Sequence, residues 1–402
     1  MSDRQVTLGL FMLGFGHNMA SWRDPAVEPS DLLKLDYYKR VARKAEAAKL
    51  DMVFFAEILY SYEQNGGHCG QMVYPTLDPL TLTPALAAVT EQIGLIGTYS
   101  TTYTQAAPVA ERLAAIDHLS GGRIGWNIVT TGADQSAANY GGIEHPDKVT
   151  RYERAADYVR TVQEVWSKYP ASPQGRPVFV QAGMSPEGTA FASRVAEAIF
   201  SLAKSREASK ELRDNLHRLA GTAGRSPQSF KLLPGLAPVL GSTEKEAREQ
   251  EERYFELVHP RIQMAVLNDQ FGMDFSVFPL DEPMPMDAIM QSPRVLSGHR
   301  DPARLIEKID GRLPTLREHL RRAARVRGHM SFVGTPEQLA DHIQDWFEGG
   351  ACDGFNIMPP LMEEGLDTFI DQVLPILRKR KLFREDYSGS TLRDHLGLAV
   401  PA

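Results

Sequence analysis

The fold class is decided by residues 93–131, whose sequence is IGLIGTYSTTYTQAAPVAERLAAIDHLSGGRIGWNIVTT. This stretch contains two apolar runs, Ile93 to Thr98 and Arg123 to Val129, separated by a segment with helical character. Both runs are mostly apolar at successive positions, which is typical of parallel strands whose sheet is covered by helices. The stretch therefore predicts a strand, a helix and a second strand parallel to the first.

The same alternation of an apolar run and a helical segment recurs along the chain. Six further runs extend over Thr7 to Leu13, Met52 to Ala56, Val178 to Ala182, Ala196 to Leu202, Lys231 to Leu240 and Gly354 to Met358. Eight such units can close into a barrel or form an open, doubly wound sheet. An open dinucleotide-binding sheet would carry GxGxxG after its first strand, and the sequence LGFGH at residues 13–17 lacks that spacing. We therefore predict a (β/α)8 TIM barrel that forms a single domain over residues 1–402.

Helices are predicted from apolar periodicity and from capping residues. The segment Asp36 to Leu50 contains neither Gly nor Pro, and its apolar residues Tyr38, Val41, Ala42 and Ala45 share one helical face. Thr335-Pro336-Glu337-Gln338 offers an N-cap, a proline in the first turn and a capping-box glutamine. Two segments lack a simple βα pattern, Ile58 to Pro79 and Pro260 to Arg300, and we interpret both as insertions at the C-terminal face of the barrel.

Composition excludes several classes of function. The net charge of −7, without a basic run, argues against a nucleic-acid partner. Cys69 and Cys352 lie far apart without CxxC spacing, so neither a disulfide framework nor a metal site is indicated. No apolar stretch approaches the roughly 18 residues needed to span a bilayer, and the N-terminus lacks the features of a signal peptide. These observations predict a cytoplasmic protein without a membrane partner.

Self-sufficient catalytic motifs are also missing from the sequence. It contains no P-loop, no HExxH and no GxSxG. This absence favours an enzyme in which a bound cofactor carries the chemistry.

Four segments in this order resemble one branch of the bacterial luciferase superfamily, and together they cover nearly the whole chain. They are GHNMASWRDP at 16–25, STTYTQAAPVAERLAAIDHLSGGRIGWNIVTT at 100–131, SPQGRPVFVQAGMSPEG at 172–188 and VGTPEQLADHIQDWFEGGACDGFNIMPP at 333–360. The branch includes nitrilotriacetate monooxygenase, dibenzothiophene-sulfone monooxygenase and long-chain alkane monooxygenase. The resemblance implies a (β/α)8 barrel that binds FMN as FMNH2, supplied by a separate NAD(P)H-dependent flavin reductase, and uses O2 to oxygenate a small organic substrate. It also implies a homodimer or homotetramer.

The resemblance assigns flavin contacts to the ends of strands. It implies contacts from Thr98, from Tyr152 and from the turn Ala182-Gly183-Met184-Ser185. Backbone N–H groups and the hydroxyl of such a turn, between a strand and a helix, can bind a phosphate. A plain N-cap is the alternative role of Ser185.

Two further cofactor positions depart from the family pattern. Glu57 stands where the family usually has Asp, and Lys148 stands where His is usual. Lys148 can pair with a phosphate as a point charge but cannot act as a neutral imidazole.

The catalytic candidates lie just after the first strand and near the end of the fourth. His17 is predicted to bind the flavin or substrate, with a satisfied loop residue as its alternative role. Asn127 is a candidate partner of the flavin ring or else a turn-capping amide. Thr130 and Thr131, at the end of the same strand, are predicted to face the mouth of the barrel and to contact the cofactor.

Other polar and aromatic residues receive structural interpretations. His118 precedes the fourth strand and is interpreted as structural, and Trp126 and Phe54 are expected to pack between barrel and helices. Tyr62 and His68 face either substrate or solvent.

Relatives carry several tens of additional residues where this chain joins 170 to 171, so either the chain is shortened there or a mobile segment is omitted.

Two alternative functions stay open at this point. A deazaflavin-dependent oxidoreductase on the same barrel would transfer hydride without O2. A non-catalytic flavin-binding protein would keep the phosphate turn but could lack a shielded substrate cavity.

Overall fold

The computed structural model describes residues 4–401, apart from 61–62, 65–66, 69–75, 299, 307, 310 and 327–328. Its strands are β1 (Thr7–Met12), β2 (Met52–Phe55), β3 (Glu63–Gln64), β4 (Gly67–His68), β5 (Gly94–Ser100), β6 (Ile124–Val129), β7 (Val178–Gln181), β8 (Ala198–Ser201), β9 (Lys231–Leu240), β10 (Met330–Gly334) and β11 (Gly354–Ile357). All eight predicted strands are present, with ends that differ by at most two residues from the predicted ones.

Helices alternate with the long strands. They are α1 (Leu35–Ala47), α2 (Pro79–Ala87), α3 (Ala106–Leu119), α4 (Lys148–Trp166), α5 (Pro186–Val195), α6 (Arg206–Thr222), α7 (Glu244–Leu257), α8 (Pro260–Phe271), α9 (Met286–Met290), α10 (Pro293–Leu296), α11 (Pro302–Leu305), α12 (Leu316–Val326), α13 (Pro336–Glu348), α14 (Met362–Thr368), α15 (Leu374–Lys379) and α16 (Leu392–His395). Short 3-10 turns lie at Ser21–Arg23, Pro29–Leu33, Asp134–Tyr140, Pro227–Ser229 and Phe275–Val277, and a π turn lies at Phe369–Val373. Thr335 and Gln338 form the predicted capping box of α13. Among the described residues, no helix is both long and apolar enough to cross a membrane.

Eight parallel strands close into a barrel. Their order is β1, β2, β5, β6, β7, β8, β9 and β11, and β11 pairs again with β1. The predicted (β/α)8 barrel is confirmed. A ninth parallel strand, β10, pairs with the C-terminal half of β9, from Met330 opposite Leu236 to Gly334 opposite Leu240. Sequence analysis missed this strand because its segment MSFVG is short and only partly buried.

Alternation along each strand separates an inner from an outer apolar cluster. Met52 and Phe54 point inward and pack with Phe11 and Phe200, whereas Val53 packs on the outside with the helices. The prediction that Phe54 packs between barrel and helices is therefore wrong, because the period-2 geometry of β2 places its side chain inside the barrel. Trp126 does pack outside, against Tyr158 of α4, as predicted.

The C-terminal residues close the N-terminal end of the barrel. Leu392 and Leu396 belong to the inner cluster, and a Cβ on Gly94 would lie 2.4 Å from Leu392 Cδ1. The neighbouring Arg393 is almost fully buried and donates to Glu197, which also accepts from Arg176. These charged residues thus form a cluster at the N-terminal end of the barrel, opposite the C-terminal ends of the strands.

The predicted insertion Pro260 to Arg300 is a helical subdomain that extends as far as Val326. Its own apolar core includes Leu267, Phe271, Phe275, Ile289 and Leu316. In the other predicted insertion, Ile58 to Pro79, the short strands β3 and β4 pair antiparallel, and Asp78 caps α2. Tyr62 and the side chain of His68 lie outside the described residues.

The join at 170/171 lies against the end of α3. His118 Nε2 is 3.0 Å from the carbonyl oxygen of Pro170. Ser172 and Gln174 both donate to the buried carboxylate of Asp117, at 2.6 Å each. The Asp117-His118 pair therefore holds this turn in place.

Candidate functional site

A cavity of about 470 Å³ lies at the C-terminal ends of three strands. Residues that follow β2, β6 and β7 form most of its wall, and the first turn of α4 completes it. The C-terminal face is where active sites of (β/α)8 enzymes lie.

Nine of the twelve predicted site residues line this cavity. They are Glu57, Thr130, Thr131, Lys148, Tyr152, Ala182, Gly183, Met184 and Ser185. They come from four separate segments of the chain, and the parallel arrangement of the strands brings these segments together. The other three predicted residues, His17, Thr98 and Asn127, lie outside the cavity wall.

The turn after β7 has the geometry of an anion site. Ser185 is the N-cap of α5, and its Oγ accepts a hydrogen bond from the N–H of Gly188 at 3.2 Å. A Cβ at Gly183 would lie 2.2 Å from Tyr152 Oη and 2.5 Å from Gln181 Nε2. Only a glycine therefore lets the tyrosine hydroxyl lie against the turn. The N-terminus of α5 also contributes a partial positive charge.

Two cations from the first turn of α4 line the same cavity, Lys148 and Arg151. Lys148 Nζ lies 3.8 Å from Glu187 Oε2, and both side chains are partly exposed. Hydrogen bonds from the Ser185 hydroxyl and from the backbone lower the pKa of Glu187, with a smaller contribution from the charge of Lys148. The wall at this position thus offers both cationic side chains and helix N–H groups to an anionic ligand.

The end of β6 forms a rim held by hydrogen bonds to the neighbouring strand. Thr131 has a φ of 45°, in the left-handed region that a β-branched residue rarely adopts. Its Oγ1 donates to Ser100 Oγ at 2.6 Å, and Thr102 Oγ1 donates to the carbonyl oxygen of Thr130 at 2.9 Å. Strained backbone of this kind is frequent at functional sites.

Thr98 and Asn127 face each other inside the barrel. Asn127 Nδ2 donates to Thr98 Oγ1 at 2.9 Å, and Thr98 Oγ1 donates to the carbonyl oxygen of Phe55 at 2.7 Å. Asn127 Oδ1 is buried, and none of the described residues donates a hydrogen bond to it. This oxygen can therefore accept a hydrogen bond from a ligand or from water.

His17 is buried just after β1. Its ring lies edge to face against Phe11, with centroids 4.5 Å apart, and Nε2 is 3.0 Å from the carbonyl oxygen of Phe11. Since a carbonyl oxygen only accepts, Nε2 carries a proton. Phe11 in turn packs on Phe54 and Phe200, so His17 adjoins the aromatic part of the inner cluster.

Sequence reasoning missed four residues of the cavity wall that carry polar groups, Tyr60, Ser136, Arg151 and Gln181. The last three each have a buried polar atom without a hydrogen-bond partner in the described part of the chain: Ser136 Oγ, Arg151 Nε and Gln181 Oε1. Buried polar groups are normally paired, so these atoms have hydrogen-bonding capacity left for a polar ligand or for ordered water. Gln181 directly precedes the predicted turn and Arg151 directly precedes Tyr152, so proximity to those motifs is the signal that could have found them.

Glu57 contributes a carboxyl group to the same cavity wall that carries the cations Lys148 and Arg151. Burial, reinforced by the nearby charge of Asp78, raises the pKa of Glu57 to about 7. The side chain is therefore partly protonated at neutral pH, and in its protonated form it can donate a hydrogen bond to a ligand.

We expect Glu57→Gln to stabilise the protein at about pH 8 but not at about pH 4.5. The folded-state pKa of Glu57 lies above its unfolded value, so its contribution to stability is present below about 4.5 and is lost as the pH rises through about 7. Glutamine stays neutral, and the gain in the free energy of unfolding at about pH 8 should be about 3 kcal/mol, because the pKa rises from 4.5 to about 7 and each pKa unit corresponds to about 1.4 kcal/mol. Denaturant unfolding at the two pH values measures it. Glu91→Gln, at an exposed position, is the control, and an equal effect of Glu57→Gln at both pH values would contradict the prediction.

The donor set of the cavity fits FMN. The features that suit a phosphate are the Ser185 cap, the close approach at Gly183 and the charges of Lys148 and Arg151. The apolar wall, which suits a flat ring system, consists of Ile58, Leu59, Ile128, Ala182 and Met184. Unpaired polar atoms remain for the polar edge of such a ring and for its ribityl chain.

Comparisons with known proteins agree with this chemistry. The family model described as luciferase-like monooxygenase matches residues 15–353. N-acetyl-S-(2-succino)cysteine monooxygenase of Bacillus subtilis (strain 168) is 37% identical over 437 residues, covering 99% of this chain and 98% of the relative. Nitrilotriacetate monooxygenase component A of Aminobacter aminovorans is 33% identical, covering 100% and 98%. A solved structure of riboflavin lyase with modified FMN and riboflavin has a TM-score of 0.83 and 28% identity, covering 99% of this chain and 97% of that chain.

Proposed function

The chain belongs to the luciferase-like monooxygenase family and is a flavin-dependent monooxygenase, and we propose that it binds reduced FMN in the cavity at the ends of β2, β6 and β7. It uses O2 to oxygenate a small organic substrate. The observation that supports the position of the flavin is the convergence of nine predicted residues, from four segments, on one cavity.

The residues that would hold FMN divide into two groups. Ser185, the N–H groups at the start of α5, Lys148 and Tyr152 would bind the phosphate. The apolar wall beside Ile58 and Met184 would lie against the ring. When bound, reduced flavin supplies the electrons with which O2 is activated.

The protein's own contribution is to position the reactants and to exclude water. The inner cluster around Phe11, Phe54 and Phe200 provides an apolar interior below the mouth of the barrel. Buried beside it, His17 and Asn127 are the polar groups that could orient substrate or flavin. A protonated Glu57 can donate one hydrogen bond to the polar edge of the ring.

The reduced flavin is proposed to come from a separate NAD(P)H-dependent reductase. A relative that aligns over the full chain is named component A of nitrilotriacetate monooxygenase, which supports a two-component system. Deazaflavin-dependent hydride transfer is the second candidate function on this barrel, and it requires no O2.

The proposal predicts that the protein changes the oxidation of FMNH2 by O2. Photoreduced FMN is mixed with the protein without oxygen and then with oxygenated buffer, and the flavin absorbance is followed. We expect a time course that depends on protein concentration and differs from that of flavin alone. An identical time course with and without protein would refute FMNH2-dependent activation of O2, and hydride transfer by a deazaflavin would be tested next.

A further inference from the structure

Three side chains form a hydrogen-bonded chain that ends at the cavity. Tyr103 Oη lies 2.7 Å from His145 Nδ1, and His145 Nε2 lies 2.9 Å from Arg151 Nη1. Tyr103 follows β5, His145 lies in the loop before α4, and Arg151 lies in the first turn of α4. The ring of Tyr103 also stacks on Tyr140, with centroids 4.5 Å apart and planes 15° from parallel. The imidazole is therefore held on both sides.

The hydrogen bonds to Tyr103 and Arg151 define the tautomer of His145. A guanidinium group only donates hydrogen bonds, so Nε2 must be the acceptor from Arg151. The ring proton of the neutral imidazole then lies on Nδ1 and is donated to the oxygen of Tyr103. A second proton on Nε2 would face the N–H of Arg151, and the hydrogen bond between the two side chains would be lost.

Arg151 is a buried cation in the cavity wall with capacity to donate further hydrogen bonds to an anion. It lines the cavity, and only 8% of its surface is exposed. Its Nη1 donates to His145 and to the carbonyl oxygen of Pro146, whereas its buried Nε has no hydrogen-bond partner among the described residues. Lys148 and Ser185 lie in the same wall. A buried guanidinium with unused donor capacity favours an oxygen anion as its partner.

We propose that neutral His145 is a positioning residue that directs Arg151 towards the phosphate of bound FMN, and that protonation of His145 breaks its hydrogen bond to Arg151 and leaves the carbonyl oxygen of Pro146 as the remaining acceptor of Nη1 among the described residues. The inference rests on the proposed function, since it takes the flavin phosphate as the anion. It assigns to this chain a phosphate site whose strength depends on pH.

The charges around His145 agree with a neutral ring at neutral pH. Burial, followed by the charge of Arg151, lowers the pKa of His145, and Asp134 acts in the opposite direction. Asp147, the N-cap of α4, is paired with Thr150 and also acts on Arg151, and Tyr103 is the uncharged partner. Since the pKa lies below the ordinary histidine value, positioning is complete above that value and is lost as the pH falls through the lowered pKa.

The test compares FMN with riboflavin, which lacks the phosphate, in fluorescence titrations between about pH 5 and about pH 8. We expect His145→Ala to weaken FMN binding about tenfold at pH 8 and to leave riboflavin binding unchanged. His145→Gln offers an oxygen to Arg151 and an N–H to Tyr103 but does not titrate. It should keep wild-type affinity at pH 8 and exceed the wild type at acid pH. His118→Gln, at the other end of the barrel, is the control.

The phosphate of FMN itself takes up a proton near pH 6, and the glutamine variant keeps that titration. The difference between the wild type and His145→Gln therefore reports on the imidazole alone. Parallel pH profiles for these two proteins would overturn the inference, and so would an equal loss of FMN and riboflavin affinity in His145→Ala. If the wild-type protein binds neither flavin, the inference is overturned, because no phosphate site of pH-dependent strength is present. The proposed function fails only if the protein also leaves the oxidation of FMNH2 by O2 unchanged, which is a separate result.

Discussion

Gly183→Ala is expected to weaken FMN binding at least tenfold while leaving the barrel folded. The new Cβ would lie 2.2 Å from Tyr152 Oη and 2.5 Å from Gln181 Nε2, so both cavity side chains must move away from the turn. Both contacts are with the ends of side chains and not with backbone, and Gly183 does not have a positive φ. The substitution should therefore lower the affinity for FMN and leave the free energy of unfolding nearly unchanged. Fluorescence titration with FMN measures the affinity.

A glycine-to-alanine substitution outside the cavity distinguishes an effect on FMN binding from an effect on stability. Gly221 lies near the end of α6, and a Cβ there would meet nothing within 4 Å. Gly221→Ala should leave FMN affinity unchanged and raise the free energy of unfolding by about 0.5 to 1 kcal/mol, because alanine favours helix over glycine. Wild-type FMN affinity in Gly183→Ala would show that the close contact with Tyr152 is unimportant for the cofactor.

Glu197→Ala should destabilise the barrel by about 3 to 5 kcal/mol, the largest effect on stability that we predict. Its carboxylate accepts from Arg393 Nη1 at 2.6 Å, from Arg176 Nη1 at 2.8 Å and from the N–H of Phe179 at 3.0 Å. The side chain of Arg393 is 1% exposed and that of Arg176 is 19% exposed. Removing the carboxylate leaves two guanidinium groups at a buried site without their counter-charge. Denaturant or thermal unfolding measures the change.

An exposed ion pair provides the comparison. Asp157 and Arg160 lie 2.8 Å apart on α4, with about two thirds of each side chain exposed. Asp157→Ala should change the free energy of unfolding by less than about 0.5 kcal/mol, because water already screens this pair. A similarly small effect of Glu197→Ala would mean that the C-terminal segment does not contribute to the stability of the barrel.

The candidate site could be predicted in part because the barrel topology places strand ends together. Glu57, Thr130, Thr131 and the turn from Ala182 to Ser185 each follow a strand that was visible as an apolar run. Parallel strands in a barrel have their C-terminal ends on one face, so polar residues that follow them converge without any knowledge of their contacts.

The direction of individual side chains could not be predicted in the same way. The contact of Thr98 with the flavin stays a prediction, and the structure adds that the Thr98 hydroxyl donates to the carbonyl oxygen of Phe55 and accepts from Asn127 inside the barrel. Phe54 was assigned to the outer layer and lies within the inner cluster. A shift of one residue in strand register exchanges the two faces, and the boundaries read from an apolar run are not that precise.

By itself the sequence determined the order of strands and helices, the closed parallel barrel and the segments that supply the cavity wall, because these depend on local periodicity and on chain connectivity. Only the tertiary structure decided which polar groups face the cavity unpaired, how Tyr103 and His145 hold Arg151, and how Arg393 reaches Glu197. The physical reason is that hydrogen bonds and ion pairs act over about 3 Å. Residues 42 or 196 positions apart in the chain come within that distance only when the whole barrel has packed.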